Sequence, residues 1–218
     1  MYGLIGHGLV VFSELTNAFL GDDKIHFKRL NSERDLSVLS DKFAEADGIR
    51  LPLDYLARGQ AFMCFNEQNQ PEGGFALIEQ GPFRTLEQLP ENVVKPSETS
   101  VTEITAVYLK PGHPLRRTRY WSFVVGTTLA SESRRIVYAV DMEKTALRER
   151  VFNHIRAHTL YEGPVKKLDG MLVESVEAVE LTTKPHLAKG FLKLAVLEIG
   201  RLRTHFDLRP LRVATAAN

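Results

Sequence analysis

Ser100-Val101-Thr102-Glu103-Ile104-Thr105-Ala106-Val107-Tyr108-Leu109-Lys110-Pro111 is the stretch on which the reading of the fold turns. β-Branched and apolar residues run through it almost continuously, as in a buried strand, and Pro111 ends it because proline cannot donate to a ladder. Downstream, residues 119–132 carry a helical pattern. Arg134-Arg135-Ile136-Val137-Tyr138-Ala139-Val140-Asp141 then reads as a strand and residues 144–155 as another helix. Strand, helix, strand, helix in succession predicts a parallel crossover unit.

Working outward, residues 25–30 alternate as a first strand, with Ile25, Phe27 and Arg29 on one face. Asn31-Ser32-Glu33-Arg34 has the composition of a helix start. Leu36, Leu39, Phe43 and Ala46 give the helix its apolar stripe, and Gly48 stops it. A short helical piece at 53–56 precedes Ala61-Phe62-Met63-Cys64-Phe65. With Phe75-Ala76-Leu77-Ile78 this run predicts a hairpin across a turn rich in Asn, Gln, Pro and Gly. Residues 81–100 hold Pro82, Pro90 and Pro96 and predict a loop or lid with at most one helical turn. Two late strands, around 158–163 and 171–181, flank the turn-forming Lys167-Leu168-Asp169-Gly170. A helix at 9–20, with Leu9, Phe12, Leu15 and Phe19 on one side, precedes this core, and an apolar helix from Lys184 to His205 follows it.

The whole chain has 218 residues, 44 % apolar and 25 % charged, with a formal net charge of +1. This is the composition of one folded globular domain, without the global field that draws a protein onto nucleic acid or an anionic membrane. Cys64 is the single cysteine, which excludes an internal disulfide and a thiolate-rich metal site. A reducing, cytoplasmic compartment is expected. The apolar N-terminal stretch lacks a Lys/Arg n-region, and no run approaches the ~20 apolar residues of a membrane span.

The order of strand, helices, hairpin, long strand, helix, strand, helix and two strands resembles the GNAT-type N-acyltransferase superfamily. The expected fold is thus a GNAT-like mixed central sheet flanked by helices, with an extra helix at each terminus: an extension at 1–24, the core at 25–183, and a last helix and tail at 184–218. The segment Glu103-Ile104-Thr105-Ala106-Val107-Tyr108-Leu109-Lys110-Pro111 is similar to the family's central strand. The resemblance implies that this strand splays from its parallel neighbour, which begins at Ile136, and frees backbone groups for the pantetheine arm of an acyl thioester. In the family the strand runs into a glycine-rich turn that holds pyrophosphate. Here the turn is Gly112-His113-Pro114-Leu115-Arg116-Arg117-Thr118-Arg119, without the usual internal glycines and with three arginines. That departure points to a longer acyl group or to an acyl carrier protein as donor, as in the similar autoinducer synthases and long-chain N-acyl amino acid synthases, which also have an acidic residue near the start of the central strand. Glu103 matches it.

The resemblance implies roles in a transfer to an amine by direct attack, without a covalent enzyme intermediate. Glu103 would take the proton from the amine of a small-molecule or peptide acceptor, and Tyr108 or Tyr138 would protonate the departing thiolate. The backbone at Val107 and Leu109 would hold the pantetheine and the oxyanion, and Arg116, Arg117 and Arg119 would receive phosphate of an acyl-CoA or a phosphopantetheine-linked donor. Each has a plainer alternative: a carboxylate paired with an arginine, core tyrosines, a solvated helix start. Tyr161 is a further candidate, displaced from the family's usual spacing.

Gly3-Leu4-Ile5-Gly6-His7-Gly8 echoes a dinucleotide loop but has no strand before it. His113, His154 and His158 have no ligand spacing, so no metal is expected. Cys64 reads as a small core residue. The last helix, apolar over more than one stripe, would pack under the sheet, form a homodimer or wall an acyl pocket. Two further readings stay open: a GNAT-like binding or assembly module without catalysis, and an unrelated α/β binding protein whose Glu103 strand would pair along its whole length.

Overall fold

β1 (His26–Leu30), β2 (Gly59–Phe65), β3 (Pro71–Ile78), β4 (Val101–Leu109), β5 (Arg135–Asp141), β6 (His158–Pro164) and β7 (Val176–Thr183) build one mixed sheet in the computed structural model. Its order is β1-β2-β3-β4-β5-β7-β6. The structure describes residues 25–111, 114–143, 154–171 and 175–193, with only the backbone of 114–116. The helices expected at 9–20 and beyond 193, and most of that expected at 144–155, lie outside these residues. Every neighbouring pair of strands is antiparallel except β4 and β5.

One face of the sheet is covered by α1 (Glu33–Asp47), α2 (Leu53–Leu56) and α3 (Arg84–Glu87). Ser32 caps α1 by accepting the Asp35 N–H at 3.1 Å, and Gly48 closes it in the left-handed region at φ 70°. Such an N-cap is worth about 1 kcal/mol, and glycine avoids the Cβ strain of that C-terminal turn. The expected stripe is buried at Leu36, Leu39 and Phe43 and packs with Met63, Ala76, Ile78 and Val101. The other face carries α4 (Pro114–Ala130), whose Tyr120, Val124 and Val125 pack on Phe75, Leu77 and Ile136, and the helical residues 184–193, which bring Leu187 and Phe191.

Three boundaries differ from expectation. The 81–100 segment is no lid with a single turn. It contains α3 and a 3-10 turn at Glu98–Ser100, and it is anchored because Phe83, Leu86 and Leu89 are buried. Helix α4 begins at Pro114 instead of Arg119, since proline suits a first helical position where its missing N–H is not needed. β7 starts at Val176, and Met171 instead makes an isolated bridge with Ile49.

Candidate active site

β4 and β5 pair at Val101–Arg135, Thr102–Ile136 and Glu103–Val137, and the pairing ends there. From Ile104 onward β4 remains bonded to β3, while Tyr138 to Asp141 of β5 remain bonded to β7. The two central strands therefore diverge. Thr105 pairs with Ala76 and Tyr108 with Gly74, so Ala106 and Val107 together face Phe75 alone. This is a bulge, with Ala106 at φ 54° in a region that alanine seldom adopts. The extra residue shifts the alternation. Val101 precedes the bulge and Ala106 and Tyr108 follow it, and all three face the α1 layer, while Ile104, Val107 and Leu109 face α4.

The divergence opens a cavity of about 240 Å³ walled by Ile104, Thr105, Ala106 and Val107 on one side and Tyr138, Ala139, Val140 and Asp141 on the other. Towards α4 its wall is apolar, from Trp121, Val124, Val125, Ile155, Leu187 and Phe191. Towards α1 and α3 it is acidic: among the described residues Asp47, Glu103, Asp141, Glu143 and Glu177 supply five carboxylates on the cavity wall against the single guanidinium of Arg84.

Glu103 is 1 % exposed. Its Oε2 accepts the Thr85 N–H at 3.2 Å, and the hydroxyls of Tyr55 and Thr85 stand beside its carboxyl. Burial pushes the carboxyl up to about 7, against the pull of those hydrogen bonds and the charge of Arg84. A carboxylate poised near neutrality is suited to take and return a proton. Glu177 is buried too, held by Gln88 Nε2 at 2.5 Å and Ser175 Oγ at 2.7 Å.

The structure brings Glu103, Val107 and Tyr138 to the cavity wall. Tyr138 donates to Glu180 Oε2 at 2.7 Å, and burial and then that carboxylate push its phenol up. Tyr108 is not on the wall. It lies in the core against Leu39 and Gly74, its hydroxyl without a hydrogen-bond partner, and burial raises it. Leu109 pairs with Gly73 away from the cavity, Arg117 and Arg119 stand half-buried in the first turns of α4, and the side chain of Arg116 is outside the described residues. Tyr161 is in β6 and donates to the Pro164 carbonyl at 2.8 Å. Tyr55, Thr85, Gln88 and Glu177 were not singled out in the sequence, where none stands in a motif.

No family model matches the chain, and no curated protein matches it in sequence. Its structure is similar to FeeM, an N-acyl amino acid synthase from uncultured soil microbes, with a TM-score of 0.54, 11 % identity, and coverage of 80 % of this chain and 98 % of that one. It is similar to the AHL synthase LasI at a TM-score of 0.53 and 10 % identity, over 76 % and 95 % of the two chains. A third similar structure is yncA of Salmonella typhimurium with its cofactor acetyl-CoA, at a TM-score of 0.50 and 12 % identity, over 74 % and 94 %. The fold is that of the GNAT-type acyltransferases. β4 pairs with β5 over three residues only, so the Glu103 strand does not pair along its whole length.

Proposed function

We propose that this protein is an N-acyltransferase in which an amine attacks an acyl thioester lying in the slot between β4 and β5. One observation carries the reading: a buried carboxylate near neutrality sits at the point where the two parallel strands part. The unpaired β4 edge at Ala106 and Val107 supports the pantetheine amide and the oxyanion with backbone groups. Acidic residues gather the acceptor in its ammonium form, Glu103 takes one of its protons and frees the lone pair, and the neutral amine then attacks the thioester carbonyl. The tetrahedral adduct collapses, breaking the carbon–sulfur bond, the thiolate takes up the second proton shed by the nitrogen, and Glu103 releases the first to water. No residue becomes acylated. Tyr138 is the tyrosine assigned to the thiolate's side, since it walls the slot and Tyr108 does not.

The donor is a thioester with an acyl chain longer than acetyl, because the slot continues into an apolar arm between α4 and the helical residues 184–193. The phosphate end goes to the N-terminus of α4, where free N–H groups and the helix dipole favour an anion and Arg117 and Arg119 add charge. Thermal stability across CoA, acetyl-CoA, long-chain acyl-CoA and acyl-loaded carrier protein tests this reading. A ligand that binds the native site raises the melting temperature by mass action. Selective stabilisation by a long-chain donor is expected and identifies the carrier. No shift with any thioester would sink the proposal and favour the binding-module alternative.

A further inference from the structure

Tyr55 is held in a way that core packing alone does not require. It stands on the one-turn helix α2, 2 % exposed, with the guanidinium carbons of Arg58 and Arg84 at 5.6 and 5.9 Å from its ring centroid. Its hydroxyl oxygen accepts the Arg84 backbone N–H at 3.2 Å. A phenol has one hydrogen to give, and with its oxygen taken by the Arg84 amide that hydrogen is left for the neighbouring Glu103 carboxylate, whose charge acts on the phenol. The next amide along the chain, that of Thr85, donates to Glu103 Oε2 at 3.2 Å. Two successive amides of α3 thus reach one phenol and one carboxylate and set the two side chains beside each other.

We propose that Tyr55 is the positioning residue of the base: its hydroxyl, set beside the Glu103 carboxylate by the two amides of α3, aims that carboxylate at the slot. This rests on the reading of Glu103 as the base. A buried carboxylate tends to hold its proton, and a base that is already protonated accepts nothing. The groups that oppose protonation are few. From α2 comes the Tyr55 hydroxyl, and from α3 come the Thr85 amide and hydroxyl and the charge of Arg84. The Arg84 guanidinium is anchored elsewhere, its Nη2 donating to the Asp169 carbonyl at 2.6 Å. Asp47 of α1, Asp141 and Glu143 at the end of β5, and Glu177 of β7 share the cavity, and their like charge works the other way. Tyr55 is therefore the side chain whose loss should show most directly in the proton affinity of Glu103.

The test is Tyr55→Phe in the full chain, with the Glu103 carboxyl followed by carbon-13 NMR titration and assigned by its loss in Glu103→Gln. Its midpoint should rise by about one pH unit, the size of one hydrogen bond to a charged group. The acidic limb of kcat/KM should move with it, while the alkaline plateau changes less than about threefold, a split that a merely structural role does not produce. An unmoved Glu103 midpoint overturns the inference. A moved midpoint with an unmoved kinetic limb supports Tyr55 as the partner of Glu103 and sinks Glu103 as the base. Should Tyr55→Phe not fold, 3,5-difluorotyrosine at position 55 keeps the ring and strengthens the donor, and the midpoint must then fall.

Discussion

Glu103 and Val137 are the last residues paired between the two parallel central strands, and the cavity opens beyond them with Glu103 on its wall. The parallel ladder ends there, and three residues further along β4 a bulge at Ala106 adds a residue to the strand opposite β3. The carboxylate is thus fixed by sheet pairing on its own strand while opening onto unpaired backbone just beyond it. Rigid support next to unsatisfied groups is what a site that positions an acyl group requires.

Replacing Glu103 by Gln should separate stability from activity. The carboxyl titrates near 4.5 in an unfolded chain and near 7 in the fold. The native state therefore holds this proton more tightly. The benefit is fully present below pH 4.5, fades through the window, and above pH 7 ionisation costs the fold about 3 kcal/mol. Glu103→Gln removes that cost. Its melting temperature should exceed that of the unmodified protein at pH 8 and not at pH 4.5, while kcat falls by about a hundredfold or more. Calorimetry at the two pH values checks it; a variant less stable at pH 8 contradicts the burial argument.

Ala106 at φ 54° should distinguish glycine from valine sharply. Glycine removes the Cβ strain of the left-handed region but adds unfolded-state entropy, and the two effects nearly cancel. Ala106→Gly should stay within about 0.5 kcal/mol of the parent. A β-branched side chain is a genuine outlier there, so Ala106→Val should lose about 2 kcal/mol or more in urea unfolding. Equal stabilities would mean that the bulge relocates.

The parts of the fold written locally were legible. The stripe Leu36, Leu39, Phe43, the stop at Gly48 and the hairpin turn at 66–70 each follow from spacing or turn chemistry within a few residues. The parallel crossover was legible from element order. The bulge was not, because Thr105-Ala106-Val107 holds no glycine or asparagine to mark a left-handed residue, and strict alternation puts Tyr108 on the α4 face with Ile104, the face opposite to the one it occupies. Glu103 was found through one resemblance, but its partners were not. Thr85 lies 18 residues away and Tyr55 farther, and only the packing of α2 and α3 brings them together. The acidic wall is likewise assembled from separate elements.

Gly170 ties the loop between β6 and β7 to the acidic side of the cavity. It sits at φ +85°, and a Cβ there would meet the Arg50 carbonyl oxygen at 1.9 Å. The same backbone gives the Arg50 N–H its acceptor at 2.8 Å, and beside it Met171 bridges Ile49, both residues walling the cavity. Gly170→Ala should cost about 2 kcal/mol or more through strain and the broken contact. In the folded variant, KM for the acceptor should rise several-fold, with the donor-induced thermal shift unchanged. Loss of donor binding instead would place the donor on the acidic side.

The apolar arm offers the sharpest test of donor class. Val125 of α4 is 6 % exposed and walls the arm with Trp121, Val140 and Leu187. Phenylalanine there adds volume to a packed site, at about 1–3 kcal/mol, and the arm beside it takes up the excess. The slot around Ala106 and Val107, where the pantetheine is proposed to lie, is left as it was. In Val125→Phe the thermal shift from a long-chain acyl-CoA should shrink to that from acetyl-CoA, and the acetyl-CoA shift should persist. Loss of both shifts together would mean that the substitution distorts the slot. A long-chain shift that survives would show that the acyl chain runs elsewhere, and the apolar wall would then be plain core.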